Sequence, residues 1–345
     1  MNFTRESIFV SAIRKFCNTF AVVLGFCVAV VAIVLGLSAL SDNISLPNRG
    51  DLTVSADANW NRKLLPSTTP VLLRMELHGV IGVGNLTEEK FRKMLLDSRE
   101  GSLAGSRVKG LLLHINTPGG TVRDSGGIYR ALKEYKERYK TPVYAYVDGL
   151  CASGGMYIAS IADQIFASSD SIIGSVGVKM GPAFNFSDVM DKIGIASVTL
   201  TEGKDKDTLN PFRPWKEDES ASIQAILADS YEEFLDIVTA GRKQMSREKL
   251  VNDYGAQVFS AEKSQEYGYI DHADATYNDA LKSLVQAVGI EDDGSYQVLA
   301  IEPYHSALQD LTQSQFFTKK VEHILPIGTN LTTELSGKLL YLYQP

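Results

Sequence analysis

The chain has 345 residues and a formal net charge of −7 at pH 7, with 44% hydrophobic and 22% charged residues. A chain of this length can bury a full core, and this composition is that of a globular protein, not a disordered or collagen-like one. The acidic balance argues against the basic surface that nucleic-acid binding needs, so we expect no nucleic-acid partner. The three cysteines and five histidines show no metal-ligand spacing, so we expect no metal site.

An uncharged apolar segment, Phe20–Leu40, lies near the N-terminus and has the length of a helix that crosses a bilayer. Arg14 and Lys15 precede it, so we expect a single-pass anchor in the inner (cytoplasmic) membrane. The N-terminus would be cytoplasmic, and the remaining chain periplasmic or extracytoplasmic. The alternative is a cleaved signal peptide with the Ser38-Ala39 pair near its cleavage site, but this apolar core is longer than such peptides carry.

Strands and helices are predicted to alternate after a polar linker. Nearly unbroken apolar runs are typical of strands covered on both faces, and the alternation implies an α/β fold with a mostly parallel sheet. The predicted strands are Val71–Leu77, Val108–Ile115, Pro142–Val147 and a short one from Gln297, and the predicted helices are Leu86–Glu100, Asp124–Tyr139, Met156–Ala162 and Glu217–Lys243. The predicted organisation is a cytoplasmic N-terminus (1–19), a transmembrane helix (20–40), a linker (41–69), an α/β domain (70–290) and a C-terminal extension of unassigned fold (291–345).

Two glycine-containing loops follow predicted buried strands. In Asn116–Gly120, adjacent glycines let backbone N–H groups approach a ligand without a Cβ in the way. In Asp148–Gly155, Ser153 lies at a strand-to-helix turn, a position that suits a nucleophile beside an oxyanion hole. Cys151 stands where the G-x-S-x-G signature has its first glycine, so that signature is absent. The alternative interpretation is that these small residues only allow close helix–sheet packing.

The group that would activate Ser153 is less evident from the residues. His114 lies inside an apolar strand, as core histidines do, while His78 at the end of the first strand stays open as a base. A lysine also serves serine as a base, provided that its pKa falls several units from about 10.4. Lys204 and Lys206 are the candidates, and the alternative is that they belong to a solvated charged loop.

Five sequence blocks in order carry a family resemblance between residues 71 and 285. They are LLLHINTPGG, DGLCASGGMYIAS, ADQIFASSDSIIGSVGV, a Lys-Asp block and YEEFLDIVTAGR. They resemble the short signal peptide peptidases of the protease IV family of serine peptidases. This resemblance implies a crotonase-like fold, shared with Clp protease, built from repeated β-β-α units.

The resemblance also implies a Ser/Lys dyad. Ser153 would attack the scissile peptide carbonyl. Lys206, followed by Asp207 as the family's lysine is, would take the serine proton and later protonate the leaving amine. Lys204 competes for this role because the alignment could shift by two residues.

The other residue roles come from the same resemblance. The N–H groups of Gly120 and Gly154 would form the oxyanion hole, and the hydroxyl of Ser175 would hold the lysine. The family uses no cofactor. Its short forms assemble as rings, so we expect a homo-oligomer of eight copies in which neighbouring subunits help to complete each site.

The expected substrates are peptides, above all released signal peptides, since a site beside the bilayer would receive apolar, extended chains. Other apolar or misfolded peptides are also candidates. One alternative function is that of a crotonase acting on acyl-CoA thioesters, although such enzymes have no need of a membrane anchor. A second is a non-catalytic membrane scaffold of the same fold, in which Ser153 would be unreactive.

Overall fold

The computed structural model describes residues 8–43, 51–291, 295–302 and 340–343. The chain divides into two compact units, residues 1–48 and 49–345. Helix α1, Ile8–Asn43, forms the first unit. Its segment Ser11–Ile33 has a mean hydropathy of 2.4 and is long and apolar enough to cross a membrane, starting earlier than the predicted span 20–40. The predicted N-terminal apolar helix is confirmed.

The second unit contains ten strands among the described residues. They are β1 (Asp51–Val54), β2 (Val71–His78), β3 (Val108–Thr117), β4 (Gly119–Thr121), β5 (Val143–Ala152), β6 (Gln164–Ala167), β7 (Ile172–Gly174), β8 (Val258–Ser260), β9 (Gln297–Glu302) and β10 (Leu340–Leu342).

Eight α-helices lie among the described residues of this unit. They are α2 (Glu88–Asp97), α3 (Val122–Tyr139), α4 (Gly154–Ala159), α5 (Ser187–Ile193), α6 (Ala221–Gly241), α7 (Arg247–Lys249), α8 (Ala261–Glu266) and α9 (Tyr277–Ala287). Four of them, α2, α3, α4 and α6, overlap the four predicted helices, while α5, α7, α8 and α9 were not predicted. Thr87 and Thr121 cap α2 and α3, and each side chain accepts a backbone N–H of the first turn. A 3₁₀ turn, Gly101–Leu103, and a π-helical turn, Leu250–Tyr254, complete the set.

The main sheet has the order β1-β9-β2-β3-β5-β7-β8, with β6 also paired to β5. The pairs from β9 to β7 are parallel, and only the edge strands β1 and β8 run antiparallel to their neighbours. The predicted mostly parallel α/β class is confirmed. Parallel strands end at the same edge, so the loops after β3 and β5 meet there.

Apolar packing covers both faces of this sheet, which explains the unbroken apolar runs of β3 and β5. On one face the larger core includes Phe91 of α2, Leu132 of α3 and Phe234 of α6. On the other face Leu112 of β3 packs in a smaller cluster with Leu284 of α9. The two cores fix the strand ends that carry the candidate site.

Strands also lie in the ranges predicted as linker and extension. β1, within residues 41–69, pairs with β9, while β9 and β10 both lie within 291–345. β9 was predicted as a short strand, whereas β1 and β10, which are short and are held by backbone hydrogen bonds to a partner, were not. Most of the predicted extension 291–345 lies outside the described residues.

Candidate active site

Ser153 lies at the junction of β5 and α4 in an unusual backbone conformation. Its φ is 52° and its ψ is −113°. A residue other than glycine in such a region costs about 1–3 kcal/mol and persists only where its surroundings hold it. Its N–H donates to the Gly174 carbonyl at 2.8 Å, and its carbonyl accepts the Tyr157 N–H at 3.0 Å. The backbone is therefore fixed on both sides of the candidate nucleophile.

The hydroxyl of Ser153 is buried, with 1% of the residue exposed. Its Oγ lies 3.5 Å from the Gly177 carbonyl, a long contact that leaves the hydroxyl weakly held. Ser175 follows β7 close by, has a φ of 56°, and donates its N–H to the Gln257 carbonyl at 2.6 Å. The structure thus brings Ser153 and Ser175 to the same edge of the sheet.

The turn at Gly119–Gly120 lies against Gly154. A Cβ on Gly119 would come within 2.6 Å of the Gly154 nitrogen, and one on Gly120 within 1.9 Å of the Ile81 carbonyl oxygen. The turn therefore accepts only glycine. Thr117 holds it, because its hydroxyl donates to the Gly79 carbonyl at 2.5 Å and accepts the Gly119 N–H at 3.1 Å. Sequence reasoning did not single out Thr117, although it directly precedes the Pro-Gly-Gly turn.

Strand β10 lies at this site in a slot between β4 and the backbone of Lys179. It pairs antiparallel with β4, with Tyr341 opposite Gly120. On its other side, Leu340 and Lys179 exchange two backbone hydrogen bonds of 3.0 Å. The Tyr341 carbonyl oxygen lies so close to the glycine turn that a Cβ on Gly119 would stand 2.0 Å from it. A segment of the chain's own C-terminus thus lies beside the candidate oxyanion donors.

Side chains of β10 fill apolar space on both sides of the slot. The Tyr341 ring is fully buried, with ring centroids 4.6 Å from Phe234 and 5.1 Å from Tyr157, and its hydroxyl donates to the Ser230 carbonyl at 2.7 Å. Leu340 and Leu342 are buried in a small cluster with partly buried valines that follow β2. The apolar run LLYLY at residues 339–343 could have indicated this strand, but sequence reasoning did not single it out.

Among the described residues no hydrogen bond joins Lys206 to Ser153, and their pairing stays a prediction. The Lys206 side chain is exposed, and within the described residues it has no side-chain hydrogen bond or ion pair. Lys204 is also exposed, 4.0 Å from Asp205. Asp207 is bound instead by Arg213 at 2.5 Å, which holds the pKa of that carboxyl below its usual range.

The segment around Lys206 exposes apolar side chains. Those at least one-third exposed are Phe184, Phe186, Val189, Ile193, Ile195, Val198, Leu200, Phe212 and Trp215. Exposed apolar side chains in this number are typical of surfaces that contact another molecule. Lys179 lies nearer the slot, and burial lowers the pKa of its ammonium group.

The two histidines considered as bases interact with other groups. His114 is buried, its Nδ1 lies 2.7 Å from the Arg74 guanidinium, and burial lowers its pKa to about 4. His78 packs against His114 with ring centroids 4.7 Å apart. Cys151 is fully buried, which raises the pKa of its thiol to about 12, so it is no nucleophile at neutral pH. Within the described residues no His, Cys, Asp or Glu cluster could hold a metal ion.

Comparison with known proteins gives the family. A model described as peptidase family S49 matches residues 135–291. A protein named as a protease from Synechocystis sp. is 32% identical over 227 residues, which cover 66% of this chain and 78% of that protein. A protein named signal peptide peptidase SppA from Enterococcus faecium is 28% identical over 226 residues, or 64% of each chain.

A ClpP1 mutant from Listeria monocytogenes is similar in structure, with a TM-score of 0.39 and 18% identity over 60% of this chain and 94% of that one. At this TM-score the likeness carries no argument, and the α/β class rests on the strand order of the sheet. The sequence matches place the protein among the proteases. The chain belongs to peptidase family S49, and the predicted family resemblance is confirmed.

Proposed function

We propose that the protein is a membrane-anchored serine endopeptidase with Ser153 as nucleophile, Lys206 as general base, and the N–H groups of Gly120 and Gly154 as oxyanion hole. The observation that carries this proposal is the strained backbone of Ser153 beside a bare glycine edge to which a peptide strand, β10, is added. Strain of this kind clusters at active sites.

The chemistry divides into two halves. A neutral Lys206 amine takes the proton of the Ser153 hydroxyl while the oxygen attacks the peptide carbonyl carbon. The oxyanion of the tetrahedral intermediate accepts the two glycine N–H groups, and the lysine protonates the leaving amine as the C–N bond breaks. Water then attacks the acyl-enzyme with the lysine again as base, which releases the new carboxylate and restores Ser153. Ser175 would orient the lysine by a hydrogen bond.

Substrates bind by strand addition in the slot between β4 and Lys179. β10 supports this, because it is an extended apolar segment paired there by its backbone. Tyr341 stands for the substrate residue whose carbonyl would be attacked. Released signal peptides are apolar and extended, so they are the substrate class we propose, together with other apolar or misfolded peptides.

We propose a homo-oligomeric ring of eight copies in which Lys206 reaches the Ser153 of a neighbour. The exposed apolar side chains around Lys206 support a contact between copies, which would bring this lysine into a buried setting. Burial in such a contact favours the neutral amine that the mechanism requires.

Helix α1 would anchor the enzyme in the inner (cytoplasmic) membrane as a single span. Arg14 and Lys15 support a cytoplasmic N-terminus and a catalytic unit on the periplasmic or extracytoplasmic side. The anchor would keep the site near apolar peptides left in the bilayer.

The test uses the full chain in detergent with a fluorogenic apolar peptide. Ser153→Ala and Lys206→Ala should each abolish cleavage, while Lys204→Ala and Lys179→Ala, the matched lysine controls, should not. Activity should rise toward alkaline pH because the base must be neutral. If Lys206→Ala retains activity and a control loses it, the base is reassigned.

Mixing the two inactive variants tests the shared site. In a ring where each dyad spans two copies, random mixing of Ser153→Ala with Lys206→Ala leaves about a quarter of the sites complete. A dyad within one copy leaves none. Hydrolysis of acyl-CoA without peptide cleavage would favour the crotonase alternative. A wild type that assembles but cleaves no peptide would favour the scaffold alternative.

A further inference from the structure

A buried serine near the candidate site has no structural partner. Ser125 lies in the first turns of α3, and the residue is fully buried. Within the described part of the chain, its Oγ has no hydrogen-bond partner. A buried hydroxyl left unpaired costs about 1–3 kcal/mol, so alanine would be the more stable residue here. An unsatisfied buried group in a folded protein calls for an explanation.

The position of Ser125 supplies an explanation for its unpaired hydroxyl. A Cβ built on Gly154 would lie 2.4 Å from the Ser125 Oγ, 3.1 Å from the Tyr341 carbonyl oxygen and 3.3 Å from the Gly119 Cα. The free hydroxyl and the carbonyl that stands for the substrate therefore border the same small space. The two glycines leave that space open between α3 and α4.

We propose that the Ser125 hydroxyl is a third donor to the oxyanion of the tetrahedral intermediate, beside the N–H groups of Gly120 and Gly154. A neutral carbonyl such as that of Tyr341 does not engage it, whereas a negatively charged oxygen is a stronger acceptor. A serine needs only a rotation about its Cβ–Oγ bond to redirect its proton. A bond made only in the transition state raises kcat and leaves KM unchanged.

This inference rests on the proposed function and differs in its consequences from a purely structural role. If Ser125 were only a small residue that lets α3 approach α4, alanine would serve equally well. The structure offers a matched control in Ser264 on α8, which is fully buried and whose Oγ also has no partner among the described residues.

The experiment compares Ser125→Ala and Ser264→Ala in the full-length enzyme. Both should keep or raise the melting temperature, because each removes an unpaired hydroxyl. Only Ser125→Ala should lower kcat, by about tenfold or more, with KM unchanged. It should also weaken inhibition by a peptide aldehyde, which forms a tetrahedral adduct, by the same factor. Ser125→Cys, which keeps a weak donor in the same space, should recover part of both.

Equal kcat and equal aldehyde inhibition in Ser125→Ala and wild type would overturn the proposal while leaving the proposed function intact. An equal fall of kcat in Ser264→Ala would also overturn it, as would a change in KM alone in Ser125→Ala. A wild type without any peptidase activity would instead refute the proposed function, and the role of Ser125 with it. If Ser125→Ala does not fold, Ser125→Cys decides, since unchanged kcat in that variant counts against a donor role.

Discussion

Removal of residues 340–345 should open the slot beside β4 and lower KM for peptide substrates. The side chains of Leu340, Tyr341 and Leu342 are 2%, 0% and 8% exposed, so their burial stabilises the occupied slot by about 6 kcal/mol. The hydrogen bonds to Lys179, Pro118 and the Ser230 carbonyl add about 4 kcal/mol. Ordering four residues costs about 8 kcal/mol.

The balance of about 2 kcal/mol corresponds to an occupied slot in roughly 30 of 31 molecules. If substrate binds only the open form, as the proposed strand addition requires, KM should fall roughly 30-fold in the truncated enzyme with kcat unchanged. Initial rates over a range of fluorogenic peptide concentrations give both constants.

Two further measurements make the result decisive. The free peptide LYLYQP should inhibit the truncated enzyme competitively. A high peptide concentration should be needed, because tethering gives the strand a high effective concentration that the free peptide lacks. Tyr341→Ala, which keeps the backbone pairing, should give a smaller fall in KM. Unchanged KM in a truncated enzyme with a normal melting temperature would show that β10 does not compete with substrate.

Three other perturbations have definite expected outcomes. Ser153→Gly should be more stable than Ser153→Ala by about 1 kcal/mol in thermal unfolding, because glycine adopts a φ of 52° without strain; equal stability would contradict this. The pKa of His114 is about 4 in the folded state and about 6.5 unfolded, so the unfolded chain binds more protons between these values. Stability should therefore fall by roughly 2–3 kcal/mol from pH 6.5 to pH 4, and His114→Gln should flatten this dependence in urea titrations. Arg213→Ala should lower kcat with little change in circular dichroism, because Arg213 binds Asp207 and Glu219 and so holds the loop of Lys206; full activity would show that the loop needs no such support.

Much of the central sheet could be predicted because strands buried on both faces have few polar residues. The runs from Val108 and Pro142 matched β3 and β5, and the glycine turns after them were found from composition alone. β1 and β10 were not predicted, since an edge strand is defined by the partner it pairs with. The pairing of Tyr341 with Gly120 joins residues more than two hundred positions apart, which no local pattern reveals.

The candidate site was predicted unevenly for a similar reason. Ser153 could be predicted as a nucleophile because the serine and the small residues of its strand-to-helix turn lie in one short segment. Its positive φ is consistent with that prediction. Lys206 came from family resemblance, and it lies exposed on a segment whose apolar surface has no cover within the described chain. In the proposed ring a neighbouring copy covers that surface, and a local sequence pattern does not reveal a contact between copies.

The slot has main-chain walls on both sides, glycine along β4 and the backbone of Lys179 opposite. Anything admitted must offer free amide and carbonyl groups over several consecutive residues. In a folded protein most of these groups are already hydrogen-bonded within its own helices and sheets, whereas in an unfolded peptide they are free. The proposed enzyme would therefore cleave unfolded peptides and leave folded membrane proteins intact, because only an unfolded segment can form hydrogen bonds to both walls of the slot.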